Sequence, residues 1–277
     1  MLRTVLLIAP LLTATPSLSA APAPGPPFRE LAAVGPWAVD HGETQCALTR
    51  TFGTGEQAVV LRAAKSVALG TIDMVIAGPG LAQGSDAQTE LTMRPSPGRE
   101  VVARGYRMAL NGQLERFVRW YVADDALANL PASATSLEIE DRRNRLRLGA
   151  ANLSRALTEL NHCQEDLRRH WNVRTTYDVS TDGSPVPFKP TPLRGQEAWV
   201  VSEDMSEDER PGEMVVNILV AVDGRVVDCA VETAAPDASL TARTCGVIRQ
   251  RARFEAARDA AGQPTRGVFR RRIIFTL

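Results

Sequence analysis

From Trp37 to Leu148 apolar and polar residues alternate in short runs separated by Gly, Pro, Asn and Asp, the period-two pattern of antiparallel strands. Cys46, Leu48, Arg50 and Phe52 share one face of the first clear run, and residues 59–63, 68–77 and 101–110 continue the pattern. Asn111-Gly112 predicts a two-residue hairpin leading into Phe117–Tyr121. Residues 136–140 and 145–148 predict a second hairpin through Asp141–Asn144. The period then changes. Leu153, Leu157, Leu160, Gln164, Leu167 and Trp171 recur at helical spacing, a stripe interrupted only by Gln164. Residues 37–172 therefore read as a β-rich domain, a meander or sandwich, closed by one helix.

Periodicity disappears over residues 173–210. Pro185, Pro187, Pro190 and Pro192 come in quick succession, and Glu203, Asp204, Glu207, Asp208 and Glu209 follow Trp199. This composition predicts an inter-domain linker, partly polyproline-like and partly charged, with Trp199 packed on the next domain. Residues 211–277 then form a second unit. Met214–Val222 is almost continuously apolar, and Val226–Val231 answers it across Asp223-Gly224, a type I′ hairpin signal. Asp237 reads as the N-cap of a helix bearing Leu240, Cys245, Val247, Ile248 and Ala252. The last strand places Phe269, Arg271, Ile273, Phe275 and Leu277 on one face, and Val268, Arg270, Arg272, Ile274 and Thr276 on the other. The expected fold class is α+β: a β-rich amino-terminal domain, a linker, and a small ββαβ carboxy-terminal domain. Three consecutive arginines suit a sheet edge. That edge is either guarded by charge against aggregation or open to a partner strand, with the arginines selecting an acidic one.

Charge and composition narrow the partners. The 277 residues carry 32 basic and 32 acidic side chains, so no whole-chain field attracts nucleic acid or anionic lipid. Aromatic residues, at 5%, are too sparse for a stacking platform. Residues 1–20 have the three parts of a secretory signal: Arg3, an apolar run over Val5–Ala14, and the small residues of Leu18-Ser19-Ala20. The apolar run falls short of the roughly 20 residues needed to cross a bilayer. Cleavage after Ala20 or Ala21 and a periplasmic product with no transmembrane helix are the expectation, with residues 21–36 as a Pro- and Ala-rich spacer.

Cys46, Cys163, Cys229 and Cys245 would then meet an oxidising compartment, where disulfides are the default. Of the three possible connectivities, the two-domain layout favours Cys46–Cys163 with Cys229–Cys245. Metal binding is not expected. No two cysteines have C-x-x-C spacing, and His162 beside Cys163 points about 100° away on a helix. Gly78-Pro-Gly80, with Gly84, lacks the spacing and the following helix of a phosphate loop, so it reads as a β–β connection. His41 falls in a turn, and His162 and His170 read as solvated helix residues. No nucleophile–base pattern is visible, so no catalytic residue and no cofactor are expected.

Several ordered stretches of the last quarter resemble one family. Gly212-Glu-Met-Val-Val, Val222-Asp-Gly-Arg-Val-Val-Asp-Cys229, Leu240 through Cys245, Arg251-Ala-Arg-Phe254-Glu-Ala-Ala-Arg-Asp259, Gly262-Gln-Pro264 and Ile273-Ile-Phe-Thr-Leu277 are similar to the TonB carboxy-terminal domain. The Tyr-Pro often found at its start is replaced here by Asp204-Met-Ser206. The resemblance implies a periplasmic domain that contacts outer-membrane transporters by adding a strand to its sheet. Force transmission would also need an amino-terminal membrane helix and a long Pro-rich spacer, which are not expected here. The reading is therefore a non-catalytic periplasmic protein that binds an envelope protein, such as an outer-membrane transporter, through Val268, Arg270, Arg272, Ile274 and Thr276. Two alternatives stand beside it. One is a membrane-anchored energy transducer that keeps residues 1–20, and the other is a hydrolase with its site in residues 28–172.

Overall fold

The computed structural model describes residues 27–68, 70–81, 88–106, 117–123, 127, 132–173, 177–179, 185–187, 190–193, 212–233, 238–259 and 261–275. Residues 1–20, Gly84, Asn111-Gly112, Trp199, the acidic cluster, Asp237, Thr276 and Leu277 lie outside them. Among the described residues no helix is long and apolar enough to cross a membrane.

Ten strands form the amino-terminal sheet: β1 (Arg29–Leu31), β2 (Ala33–His41), β3 (Gln45–Phe52), β4 (Val59–Ser66), β5 (Thr71–Ala77), β6 (Gln88–Ser96), β7 (Val101–Tyr106), β8 (Phe117–Ala123), β9 (Ser136–Asp141) and β10 (Arg145–Gly149). Their order is β1-β10-β9-β6-β7-β8-β5-β4-β3-β2. Only Ala32 separates β1 from β2, so one run of chain pairs in parallel with β10 at its start and antiparallel with β3 beyond. That run bridges the two ends of the order through the three residues of β1, while the outer side of β2 has no partner strand among the described residues. Alternate side chains of successive strands enter one core. Leu48, Phe52, Met74, Met93, Trp120 and Leu148 are fully buried in it.

Three strands, β1, β2 and β6, depart from the sequence expectation. The segment expected as spacer to residue 36 already pairs from Arg29, so the domain begins earlier. β6 escapes the alternation pattern because its buried face offers only Leu91 and Met93 as large apolar side chains, beside Thr89 and Pro95. Pro95 pairs with Leu137 of β9 but lies beyond Met93, the last residue of β6 paired with β7. Its missing N–H therefore costs no bond to β7.

Helix α1 (Leu153–His170) packs on β2, β3 and β4. Leu153, Leu157, Leu160 and Leu167 are buried, and so is Gln164. That glutamine interrupts the stripe for a reason: its Nε2 donates to the Ser66 carbonyl at 2.7 Å and so satisfies a buried acceptor at the end of β4. Cys46 and Cys163 form a disulfide between β3 and α1, with Cα atoms 6.1 Å apart. Gly78 and Gly80 sit in a β–β connection. A Cβ on either would lie within 2.4 Å of the Ala58 or Gln57 carbonyl oxygen, and the Gly80 N–H is donated to Ala58.

The expected linker is not free of structure. β11 (Tyr177–Val179) pairs with β12 (Pro185–Pro187), and β13 (Thr191–Pro192) pairs with β16 (Phe254–Glu255) of the second module. That module contains β14 (Gly212–Val220), β15 (Val226–Thr233), helix α2 (Ala238–Arg251), the short pair β17 (Ala257–Arg258) and β18 (Pro264–Thr265), and β19 (Gly267–Phe275). Its three-stranded sheet runs β15-β14-β19, antiparallel throughout. Met214, Val216, Ile218, Ile273 and Phe275 meet Leu240, Cys245 and Ile248 of α2 in a core of their own. A disulfide joins Cys229 of β15 to Cys245 of α2. The β14–β15 turn is not type I′, which needs two residues at positive φ. Only Gly224 adopts it, at +78°, and a Cβ there would stand 2.0 Å from the Phe254 carbonyl oxygen. The described residues are α+β, mostly strand, together with helices α1 and α2.

Candidate functional site

β19 is the last strand of its sheet, and among the described residues none pairs with its outer side. Its two faces have different fates. Phe269, Ile273 and Phe275 turn to α2, while Arg271 is exposed. Val268, Arg270 and Arg272 turn to the amino-terminal sheet. Val268 and its cross-strand neighbour Leu219 are buried and belong to the amino-terminal core, so the two modules share apolar contacts. Ile274 lies on the strand opposite Glu213.

A charge network crosses the same interface. Asp73 of β5 and Arg119 of β8 are both buried in the middle of otherwise apolar strands. Arg119 Nε donates to Asp73 Oδ1 at 2.8 Å, and its Nη2 to Oδ2. From the other module, Arg270 Nε donates to Glu232 Oε2 at 2.9 Å and its Nη2 to Oε1 at 2.5 Å. Asn217 Nδ2 donates to Glu232 as well, at 3.2 Å. Arg270 Nη2 lies 3.8 Å from Asp73 Oδ2, which links the two pairs. Tyr121 stands between them, its ring centroid 5.3 Å from the Arg119 guanidinium and 5.5 Å from that of Arg270. Arg272 lies 4.9 Å above Tyr106. Burial alone would lower the Arg270 pKa, but the hydrogen bond and charge of Glu232 outweigh it and raise the value. Arg62 nearby is lowered by burial, against the attraction of Asp73 and Glu232.

Arg270 and Arg272 are therefore spent on packing one module against the other. They do not project as a row of free charges, and Arg271 is the arginine of the three left exposed. Arg119 serves the same interface. Arg50 is engaged elsewhere: its Nε donates to the Gly35 carbonyl at 3.0 Å, its Nη1 to that of Ala151 at 3.0 Å, and its guanidinium lies over Trp37. His162 is exposed on α1, whereas His41 and His170, 129 positions apart in the chain, line one cleft between the modules. That cleft and the Asp73 network were hidden from sequence reasoning. The available signal for the network was a lone carboxylate in Thr71–Ala77 and a lone arginine in Phe117–Ala123, opposite charges in strands that are otherwise apolar or aromatic.

Comparison with protein-family models, with curated proteins and with solved structures found no match for this chain. The functional reading below therefore stands on the geometry and on the resemblance of residues 199–277.

Proposed function

We propose that the chain is a non-catalytic binding protein of the cell envelope, exported to the periplasm through residues 1–20, whose carboxy-terminal module takes up an extended segment of a partner along β19. The observation that carries this reading is the outer side of a nine-residue strand, Gly267–Phe275, at the end of a three-stranded sheet, with which none of the described residues pairs. Such an edge presents unpaired main-chain donors and acceptors, the template for strand addition. The order of hairpin, helix and long last strand supports the TonB-like character of the module, and that resemblance names an outer-membrane transporter as the first partner to test. With Arg270 and Arg272 turned inward, the added strand is held by main-chain hydrogen bonds more than by acidic side chains. Arg271 supplies what charge selectivity remains.

The test is photo-crosslinking in the intact cell, with a photoreactive residue at Arg271 on β19 and, as control, at Arg249 on the exposed side of α2. The expected result is one envelope protein attached from position 271 and not from 249. Equal labelling from both positions, or none from 271, defeats the reading.

A further inference from the structure

A cleft of 720 Å³ opens between the modules, bounded by the β2–β3 turn, the end of α1, β15 and the residue before β19. Its volume falls in the ~300–1,000 Å³ range of small-molecule sites, which often lie between domains. Leu167 from α1 and Leu219 from β14, both buried, supply apolar wall. Trp171 stands beside them, held in place by donation of its indole N–H to the Glu43 carbonyl at 3.1 Å.

The charged groups of the cleft sort into two kinds. Asp166 and Asp228 are each paired, with Arg169 and Arg249. Glu43 and Arg266 are not: neither side chain has a hydrogen-bond or ion-pair partner among the described residues, although both line the cleft. They come from different modules and carry opposite charge. Glu43 is exposed and Arg266 half-buried, so an anion alone would use Arg266 and leave Glu43 to solvent, and a cation alone would do the reverse. A molecule bearing both charges answers both, and the fork of an arginine matches a carboxylate through two hydrogen bonds.

We propose that this cleft binds a short zwitterionic peptide. Its carboxylate rests on Arg266, its ammonium on Glu43, and an apolar side chain on Leu167, Leu219 and Trp171. The volume exceeds what one amino acid fills, which favours a short peptide over a free amino acid. The site uses neither the outer side of β19 nor the Asp73 network, so it is a second binding function, independent of strand addition.

Calorimetric titration of the full chain with the tripeptide Ala-Leu-Ala, and with its N-acetylated, C-amidated and doubly blocked forms, tests this. The free tripeptide is expected to bind saturably. N-acetylation and Glu43→Gln should each weaken binding roughly tenfold, and acetylation should cost nothing further in Glu43→Gln. C-amidation and Arg266→Gln should form a second coupled pair of the same size. Both substitutions lie at the cleft lining, and unchanged thermal melting of the variants would show that the fold persists. Absence of saturable binding by the free tripeptide, equal affinity for all four forms, or additive effects of blocking and substitution overturns the proposal. Crosslinking from position 271 is expected to survive both substitutions, which separates failure here from failure of the strand-addition reading.

Discussion

The amino-terminal sheet ends where it begins, because residues 29–41 pair with β10 at one end and with β3 along the rest, whereas the carboxy-terminal sheet stops at β19. The first sheet carries its own core, and one run of chain bridges its two ends, although β2 has no second partner strand among the described residues. The second has an open edge, and it depends on others for both faces. α2 covers one, and the amino-terminal module covers the other through Leu219, Val268 and the Asp73–Arg119–Arg270–Glu232 network. The contrast is between a large sheet with its own core and a small three-stranded sheet packed against it, whose last strand β19 has no partner on its outer side among the described residues.

The comparison breaks most severely if the scaffold fails. Trp120→Ala, at a fully buried position, should cost about 3–5 kcal/mol in urea unfolding. Trp120→Phe should cost less, because the indole N–H has no partner among the described residues and its loss removes an unsatisfied donor. The interface comes next. Glu232→Ala leaves Arg270 buried beside Arg119 with one carboxylate fewer, a loss of about 3 kcal/mol or more. It should also split a single unfolding transition into two, as the small sheet lets go of the large one. Replacing both partners, Glu232→Leu with Arg270→Met, should recover much of that loss. A smaller effect is expected from Cys229→Ala with Cys245→Ala, at most about 3 kcal/mol by loop closure and confined to the second module.

The smallest effect sharpens the picture of the cleft wall. Arg249 donates a hydrogen bond to Asp228, and the Cys229 N–H adds another, so the carboxylate is held below its ordinary range. A depressed carboxylate stabilises the fold above its unfolded pKa and loses that contribution as pH falls through the folded value. Both side chains are about half exposed, so solvent screening keeps the pair below about 1 kcal/mol. Asp228→Asn should therefore be slightly less stable than the natural protein at pH 7, and the gap should close in acid below the ordinary carboxylate range.

Alternation made β3, β4, β8, β9 and β10 legible, and helical spacing did the same for α1 and its break at Gln164. The cysteine pairing followed from assigning one bond to each domain, and the structure has both bonds. What stayed hidden depends on distant partners. β1 and the start of β2 looked like spacer because Pro27, Gly35 and Pro36 punctuate that stretch, and only β10 and β3 give it a place. β6 shows too few apolar residues to declare itself. Arg270 and Arg272 read as a charged edge because nothing local reveals Glu232 two strands away in the same sheet, or Asp73 and two tyrosines across the interface. Glu43 and Arg266, 223 positions apart, become neighbours of one cleft only after the two modules pack.

Amide hydrogen exchange along β19 tests the central claim most directly, measured on the protein alone and on the complex isolated through the crosslink at position 271. In the free protein, amides on alternate residues of Gly267–Phe275 bond to β14 and should exchange slowly, while those between them should exchange fast. In the complex the fast set should become protected along the strand. Protection of the outer amides before any partner is added, or fast exchange that persists in the complex, would contradict strand addition at this edge.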